Sequence, residues 1–193
     1  MICAHPELSP IVGFARTATI RSKTPFALSI NQQEALRETY YRHMDEDPGP
    51  RIAIIEDLDS PPGFGAWWGE VHTTVHQALG VLGVVTNGSI RDLDDCADNF
   101  QMLAGSIGPS HAHNHVVDVA CDVTIFSMAV RPGEIVHADQ HGAVIVPVDA
   151  VKKLPAAIEL LLKKEGVLLQ AARAPGFNID KLLKALESSQ EIH

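Results

Sequence analysis

Arg91 and Asp92 place a cation and an anion side by side after an apolar strand that is predicted at residues 82–86. Ligands in open α/β folds usually bind at the carboxyl end of a strand, and a tight turn there holds a side chain rigidly. An aspartate in this place can also serve only as a helix cap. Because Gly83 and Gly88 frame a sharp turn, the catalytic interpretation and the capping interpretation carry equal weight.

Glu70 is the second candidate carboxylate, and it falls in the first turn of a helix predicted at residues 69–79. An acid there commonly complements the helix dipole. If the strands before Glu70 and Asp92 lie side by side, however, the two carboxylates face each other across a crevice. Such a pair suits Mg²⁺ or Mn²⁺, with water completing the octahedron. The free amides at the helix start suit a substrate carboxylate, and they belong to Gly69, Glu70, Val71 and His72.

Two groups of histidines resemble metal ligands. His72 and His76 lie four residues apart, as in zinc proteases, but Thr73 stands where the general-base glutamate would be, which excludes that chemistry. A second group could place three imidazoles on one face of a strand and bind a transition metal. A solvated loop is the favoured interpretation of that group, because no carboxylate or cysteine completes the set. The second group consists of His111, His113 and His115.

Composition limits the classes of function. The chain has 193 residues, 46% of them hydrophobic, which is enough for one well-filled core, so we predict a single domain over residues 1–193. A formal net charge of −9 argues against direct nucleic-acid binding. Three scattered cysteines indicate neither disulfides nor a zinc ribbon, and we expect a cytoplasmic protein. Residues 1–7 lack the basic and apolar regions of a signal peptide, and no apolar run is long enough to span a membrane.

The first half of the sequence predicts alternating strands and helices. Strands are predicted at residues 11–21, 51–56 and 82–86, and helices at residues 31–44 and 69–79. Residues 57–66, rich in proline and glycine, are predicted to form a loop. A strand, a loop, a helix and a second strand in this order favour parallel strand pairing.

The second half predicts a different style of structure. Residues 116–130 are predicted to be extended, and turns separate short strands at residues 135–138 and 143–146, which indicates a β-meander. A helix with a broad apolar stripe is predicted at residues 149–173, and a last helix at residues 179–186. The apolar stripe favours packing on a neighbouring subunit, so we expect an oligomer.

Several of these segments together resemble the RraA-like family. This family contains the regulator of ribonuclease activity A and the class II aldolases that act on 4-hydroxy-4-methyl-2-oxoglutarate and carboxymethyl-oxaloacetate. The similarity runs over about residues 10–165, and its motifs distinguish the family but not its enzyme branch. The segments are residues 12–19, 69–70, 78–80, 83–92, 130–139 and 142–147.

The resemblance implies an α/β/β sandwich of the swivelling-domain type, with mixed sheets, assembled as a trimer or a dimer of trimers. It also implies that Asp92 anchors Mg²⁺ or Mn²⁺, that Glu70 reaches the cation through water, and that Arg91 contacts the keto oxygen of a 2-keto acid. Glu165 matches a carboxylate that a neighbouring chain supplies.

The expected chemistry is cleavage of a 4-hydroxy-2-keto acid to pyruvate. Breaking the bond beside the alcohol leaves negative charge on the pyruvate enolate, which a metal cation and a guanidinium at the keto oxygen stabilise. Decarboxylation of oxaloacetate produces the same enolate. The alternative is a regulator that binds a ribonuclease through its acidic surface and performs no catalysis. A methyltransferase is disfavoured, because no glycine-rich nucleotide loop is present.

Three departures from the family pattern leave the substrate open. The first strand begins almost at once, at residue 11, where relatives usually have a preceding helical segment. Asn87 stands where the glycine turn often carries aspartate. Residues 108–115, rich in histidine, replace a stretch that in aldolases is rich in proline and contains lysine.

Overall fold

The computed structural model describes residues 1–192. Internal contacts divide the chain into two compact units, Met1–Val146 and a second unit that starts at Pro147. The single domain expected over residues 1–193 therefore stays a prediction. Within residues 1–192, no helix combines the length and the apolar character that a bilayer span needs.

The first unit contains two helices and thirteen strands, which we number in chain order. The helices are α1 (Ile30–Asp45) and α2 (Glu70–Ala78). The strands are β1 (Ile2–Cys3), β2 (Ile11–Arg21), β3 (Arg51–Asp57), β4 (Ala66–Trp68), β5 (Val81–Thr86), β6 (Ser89–Ile90), β7 (Gln101–Ala104), β8 (Ser106–Ile107), β9 (His115–Val119), β10 (Val123–Ile125), β11 (Met128–Val130), β12 (Ile135–Asp139) and β13 (Gly142–Val146).

A mixed eight-stranded sheet forms the centre of the first unit. Seven of its strands follow the order β1-β7-β5-β3-β2-β12-β13, and the eighth, β9, pairs with β2. The four strands β7, β5, β3 and β2 are parallel, as the alternation of strands and helices predicts. β1 and the β12–β13 hairpin add antiparallel edges, and β9 pairs with the second half of β2. The predicted mixed α/β fold is confirmed, and its meander consists of the hairpins β10–β11 and β12–β13.

Both faces of the central sheet are covered, because alternate residues of β3 enter different clusters. Ala53 and Ile55 pack with side chains of α1 and of β4 in one core cluster. Ile52 and Ile54 pack in a second cluster with the β10–β11 hairpin. A strand that is buried on both sides reads as a continuous apolar run, which is the pattern that the sequence shows here.

Helix α1 follows the prediction closely, and local chemistry explains its start. Ser29 and Gln32 form a capping box, in which the serine hydroxyl accepts a hydrogen bond from the Gln32 amide and the Gln32 side chain accepts one from the Ser29 amide. Tyr40 and Met44 lie on its buried face. The helix therefore packs through its C-terminal half.

The second unit contains three helices, α3 (Val148–Val151), α4 (Leu154–Arg173) and α5 (Ile179–Gln190). The prediction of one continuous helix over residues 149–173 is wrong, because the chain breaks at residues 152–153 and Pro155 occupies the first turn of α4. The Ser189 hydroxyl donates to the Lys164 carbonyl at 3.1 Å and joins α5 to α4. No residue of α4 is buried, so its apolar stripe is solvent-exposed in this unit.

Candidate functional site

The ends of two short parallel strands bring the candidate residues together. β4, β6 and β8 form a separate three-stranded sheet, with Trp68 paired to Ile90. The Arg91 amide donates a hydrogen bond to the Trp68 carbonyl at 2.9 Å. The residues that follow β4 and β6 therefore lie next to each other, which is the condition that the two-carboxylate hypothesis required.

The strand that delivers Arg91 is not the predicted one. The chain leaves β5 at Thr86, turns at Asn87 and Gly88, and forms β6 before it reaches Arg91. We missed β6 because two residues are too few to show a strand period. The pair therefore follows the end of β6, the central strand of the small sheet, rather than the end of β5.

Asn87 fixes this turn. Its Oδ1 accepts a hydrogen bond from the Asp57 amide at 2.7 Å, and its Nδ2 donates to the Asp57 carbonyl at 3.0 Å. The side chain thus acts as a strand partner to the end of β3. An aspartate could make only the first of these bonds, since a carboxylate does not donate. The departure from the family pattern at position 87 therefore has a structural role.

Arg91 and Asp92 form an ion pair in which Arg91 Nη1 donates to Asp92 Oδ2. Their side chains are 22% and 35% exposed, so substrate and water can reach both. Asp92 has a φ of 54°, a left-handed conformation that aspartate tolerates better than most residues. The residues after Asp92 form a turn and not a helix, and a hydrogen bond from the Asp95 amide to the Asp92 carbonyl closes this turn. The helix-cap interpretation of Asp92 is therefore wrong.

Gly69 lies against this pair. A Cβ atom built on it would come within 2.6 Å of Asp92 Oδ2 and 3.1 Å of Arg91 Cζ. Its carbonyl accepts hydrogen bonds from the amide and the hydroxyl of Thr73, each at 3.0 Å. The same hydroxyl accepts from the Ala97 amide at 3.0 Å, which ties the start of α2 to the loop after Asp92.

The start of α2 has amides available for an anion. Gly69 is the N-cap residue and provides no side-chain cap, so the helix itself leaves its first-turn amides without partners. Glu70 begins the helix and is exposed, and Val71 is 63% exposed. The structure thus groups four of the predicted residues closely, with Glu70 and Val71 beside them on the surface. The four are Gly69, His72, Arg91 and Asp92.

His72 is a neutral imidazole beside Arg91. Burial and the positive charge of Arg91 lower its pKa to about 4. Its ring centroid lies 4.7 Å from that of Trp67. Its Nδ1 is buried and has no hydrogen-bond partner among residues 1–192. Arg91 Nε is also buried without a partner in the same range, so the site has at least two polar atoms that its own side chains leave unsatisfied.

His76 has a structural role. Its Nδ1 donates to the His72 carbonyl at 2.6 Å, so its Nε2 accepts the hydrogen bond from the Tyr40 hydroxyl at 2.7 Å. Burial lowers the pKa of His76 to about 4 and raises that of Tyr40. Sequence inspection missed this bond because its partners are 36 residues apart.

The later histidines do not converge. His111 Nδ1 bonds the Ala112 carbonyl at 2.8 Å, and His115 Nδ1 bonds the His113 carbonyl at 2.7 Å. No set of three or more His, Cys, Asp or Glu side chains in residues 1–192 could hold a metal ion together. His111 and His113 are exposed in the loop before β9, as the solvated-loop interpretation predicts, whereas His115 is the first residue of β9 and is half-buried.

The donor set at Asp92 suits Mg²⁺ or Mn²⁺ better than it suits zinc. Its protein donors are the partly exposed Asp92 carboxylate and, on the adjacent surface, Glu70. Mg²⁺ commonly keeps several waters and uses one or two carboxylates, whereas zinc sites use three or four nitrogen and sulfur ligands. Glu165 lies exposed on α4 of the second unit, and its role from a neighbouring chain stays a prediction.

The chain is similar to one protein family and to one curated protein. A family model described as RraA-like, Aldolase/RraA, matches residues 2–145. The protein DlpA of Legionella pneumophila is 24% identical over 90 residues, which are 45% of this chain and 15% of DlpA. The chain thus spans a small part of that relative.

Solved structures share the fold. An uncharacterized protein from Pseudomonas syringae aligns with a TM-score of 0.71 and 19% identity over 97% of this chain and 80% of that one. Streptomyces coelicolor RraAS2, described as an unusual member of the RNase ES inhibitor RraA protein family, aligns with a TM-score of 0.63 and 18% identity over 82% and 76%. At such identities the likeness concerns the fold alone.

Proposed function

This chain belongs to the RraA-like family, which includes both aldolases and RraA regulators, and we propose that it is a lyase of the class II pyruvate aldolase type. The proposed reaction is the divalent-metal-dependent cleavage of a 4-hydroxy-2-keto di- or tricarboxylic acid, such as 4-hydroxy-4-methyl-2-oxoglutarate, to pyruvate. We also propose oxaloacetate decarboxylation, because both reactions pass through the same enolate. The expected compartment is the cytoplasm.

One observation carries this proposal. The hydrogen bond from the Arg91 amide to the Trp68 carbonyl puts a guanidinium and a carboxylate next to the uncapped start of α2. A purely structural ion pair does not need this arrangement. An enzyme that binds a 2-keto acid needs each part of it, since the substrate brings a carboxylate, a keto oxygen and a developing negative charge.

Each residue of the site has its own role in the proposed reaction. The amides of Glu70, Val71 and His72 bind the substrate carboxylate at the positive end of the helix dipole. Arg91 donates to the keto oxygen and stabilises the negative charge that develops there as the carbon–carbon bond breaks. Asp92 orients the Arg91 guanidinium through their ion pair.

Asp92, with Glu70 through water, would hold the Mg²⁺ or Mn²⁺ ion. When bound, this cation supplies a Lewis acid that lowers the energy of the enolate. Neutral His72 contributes an unpartnered nitrogen that can bond the substrate without adding a second positive charge beside Arg91. No Schiff-base lysine is required.

Glu165 would complete the site from a second copy of the chain. Apolar side chains of the helix that carries it are exposed in the second unit, among them Ile158, Leu161 and Leu162 at 51%, 54% and 62%. Such a stripe favours burial against another subunit. We therefore propose a homo-oligomer, either a trimer or a dimer of trimers.

A regulator of ribonuclease activity is the second candidate. An exposed acidic segment follows Arg91, and the net charge of −9 suits an arginine-rich partner. The exposed acids of this segment are Asp92, Asp94, Asp95 and Asp98. A regulator needs these charges but needs neither the open start of α2 nor Gly69 packed against Asp92.

The test is a substrate screen with the purified full chain. EDTA first removes bound metal from the protein. The protein is then incubated with oxaloacetate or 4-hydroxy-4-methyl-2-oxoglutarate, before and after addition of Mg²⁺ or Mn²⁺. A coupled dehydrogenase measures the pyruvate that forms. We expect pyruvate only after the metal is restored. Protein-dependent pyruvate formation that ignores EDTA contradicts the metal proposal. No turnover with either substrate, together with capture of a ribonuclease, would favour the regulator.

A further inference from the structure

A cavity of about 250 Å³ lies between the first half of α1 and the start of β9. Its lining includes Trp67 from β4 but neither Arg91 nor Asp92. We propose that this cavity binds a small planar aromatic or heteroaromatic monocarboxylate. The volume is just below the usual range for drug-sized ligands, so it suits one substituted ring.

The lining of the cavity contains an amide side chain without hydrogen-bond partners in the described part of the chain. Asn114 lines the cavity, and both Oδ1 and Nδ2 are buried without a hydrogen-bond partner among residues 1–192. Buried polar groups in native proteins are nearly always paired. A Cβ at Gly65 would lie 2.8 Å from Oδ1, so this glycine leaves the room that the amide occupies. A donor and an acceptor held side by side match the polar edge of a heterocycle.

Two stacked aromatic rings form one wall of the cavity. The rings of Phe26 and His115, both in the lining, stack with centroids 4.2 Å apart and planes inclined by 17°. His115 Nδ1 is bonded to the His113 carbonyl, which fixes the orientation of that ring. Leu36 and Val116 add apolar surface. Flat rings of this kind favour stacking on a planar ligand over binding of an aliphatic chain.

The rim of the cavity carries a positive charge. Arg37 lines the cavity from α1, is exposed, and has no carboxylate within salt-bridge distance in the part of the chain that the structure describes. It can therefore pair with a ligand carboxylate. Glu34, one turn earlier, also lines the cavity and would repel a second carboxylate. This favours a monocarboxylate over the di- and tricarboxylic acids proposed as substrates.

Trp67 borders both the cavity and the candidate active site. It lines the cavity, is 8% exposed, and its ring lies 4.7 Å from that of His72 in the candidate active site. A ring bound in the cavity changes the surroundings of this indole. Because the chain has two tryptophans and Trp68 is fully buried, tryptophan fluorescence is a usable signal.

The experiment uses the full chain and two probes that share a ring. Nicotinate carries a carboxylate, and nicotinamide replaces it with a neutral amide. Each is titrated by calorimetry and by tryptophan fluorescence into the wild type, Arg37→Gln and Asn114→Leu. Arg42→Gln is the matched control, because Arg42 lies on the same helix, pairs with Glu38 and does not line the cavity.

We expect the wild type to bind nicotinate more tightly than nicotinamide. Arg37→Gln should weaken nicotinate binding about tenfold and leave nicotinamide nearly unchanged, since a surface substitution on a helix keeps the fold. Asn114→Leu should weaken both probes. The proposal is overturned if neither probe binds the wild type, or if Arg42→Gln weakens nicotinate as much as Arg37→Gln does. Because no aldolase assay is involved, the result does not depend on the proposed function.

Discussion

Gly69 and Asp92 are in direct contact, and position 69 has no room for a side chain while Asp92 keeps its place. A Cβ there would lie 2.6 Å from the Asp92 carboxylate oxygen and 3.1 Å from Arg91 Cγ. The backbone of Gly69 is extended, with a φ of −169°, so its conformation does not require glycine. The requirement comes from the close approach of the ion pair.

Gly69→Ala tests this contact. The methyl group must displace the Asp92 carboxylate, and a shift of about 1 Å in a catalytic group can cost about a hundredfold in rate. We expect that loss in metal-dependent pyruvate formation, with little change in the urea midpoint, because both side chains are partly exposed and can move. Gly49→Ala is the control, since a Cβ there meets only the Arg51 side chain, at 3.9 Å. Full activity of Gly69→Ala would show that the contact is not needed.

Asn87→Ala tests the turn that delivers Arg91. The change removes two hydrogen bonds to the Asp57 backbone and leaves its amide and carbonyl without that partner. We expect a loss of about 1–3 kcal/mol in the free energy of unfolding, measured with urea. Asn31→Ala, at an exposed position of α1, should change it by less than about 0.5 kcal/mol. Equal effects of the two changes would contradict the assigned role.

The stability of the chain should fall at mildly acidic pH. The folded-state pKa of His76 is about 4, below its ordinary value of 6.5. Between pH 4 and pH 6.5, His76 is therefore protonated in the unfolded chain but neutral in the folded chain. The stabilisation is present in full above pH 6.5 and is lost as the pH falls toward 4, with a total on the order of 3 kcal/mol.

Replacement of His76 tests whether this residue causes the pH dependence of stability. Urea midpoints at pH 7.5 and pH 5 are compared for the wild type, His76→Gln and His113→Gln. We expect His76→Gln to reduce the difference between the two midpoints, whereas His113→Gln, at an exposed position, leaves it unchanged. An undiminished difference in His76→Gln would assign the effect to other groups.

The exposed stripe on α4 predicts the behaviour of the chain in solution. If the stripe is buried between subunits, Leu162→Glu puts a charge into the interface and should lower the molar mass measured by light scattering toward that of one chain. Lys163→Glu, on the same helix at a residue that pairs with Glu159, is the control. An unchanged mass in both variants would remove α4 from the interface.

The sequence predicted those parts of the fold that have a periodic pattern of apolar residues or end at a proline or glycine. Strand β2 over Ile11–Arg21 and the parallel pairing of β3 with β5 agree with the prediction, because each strand is long enough to show its pattern. The small sheet formed by β4, β6 and β8 was missed, since strands of two or three residues exist only through their neighbours. The break before Pro155 was also missed, because the apolar stripe continues across it.

The candidate site was predicted in part for the same reason. Arg91, Asp92 and the start of α2 stand out in the sequence by their motifs. The partners of Asn87 and His76 are 30 and 36 residues away along the chain, and no local pattern marks them. Long-range hydrogen bonds of this kind are visible only in three dimensions.

The most direct test of the proposed lyase compares two arginine–acid pairs in one assay. Arg91→Ala and Asp92→Asn remove the pair at the site, and Arg131→Ala removes an exposed pair with Glu134 that has no proposed role. Pyruvate formation from oxaloacetate is measured with Mg²⁺ present. We predict a loss of about a hundredfold or more for the first two variants and wild-type rates for the third. Turnover that survives both Arg91→Ala and Asp92→Asn would contradict the proposal.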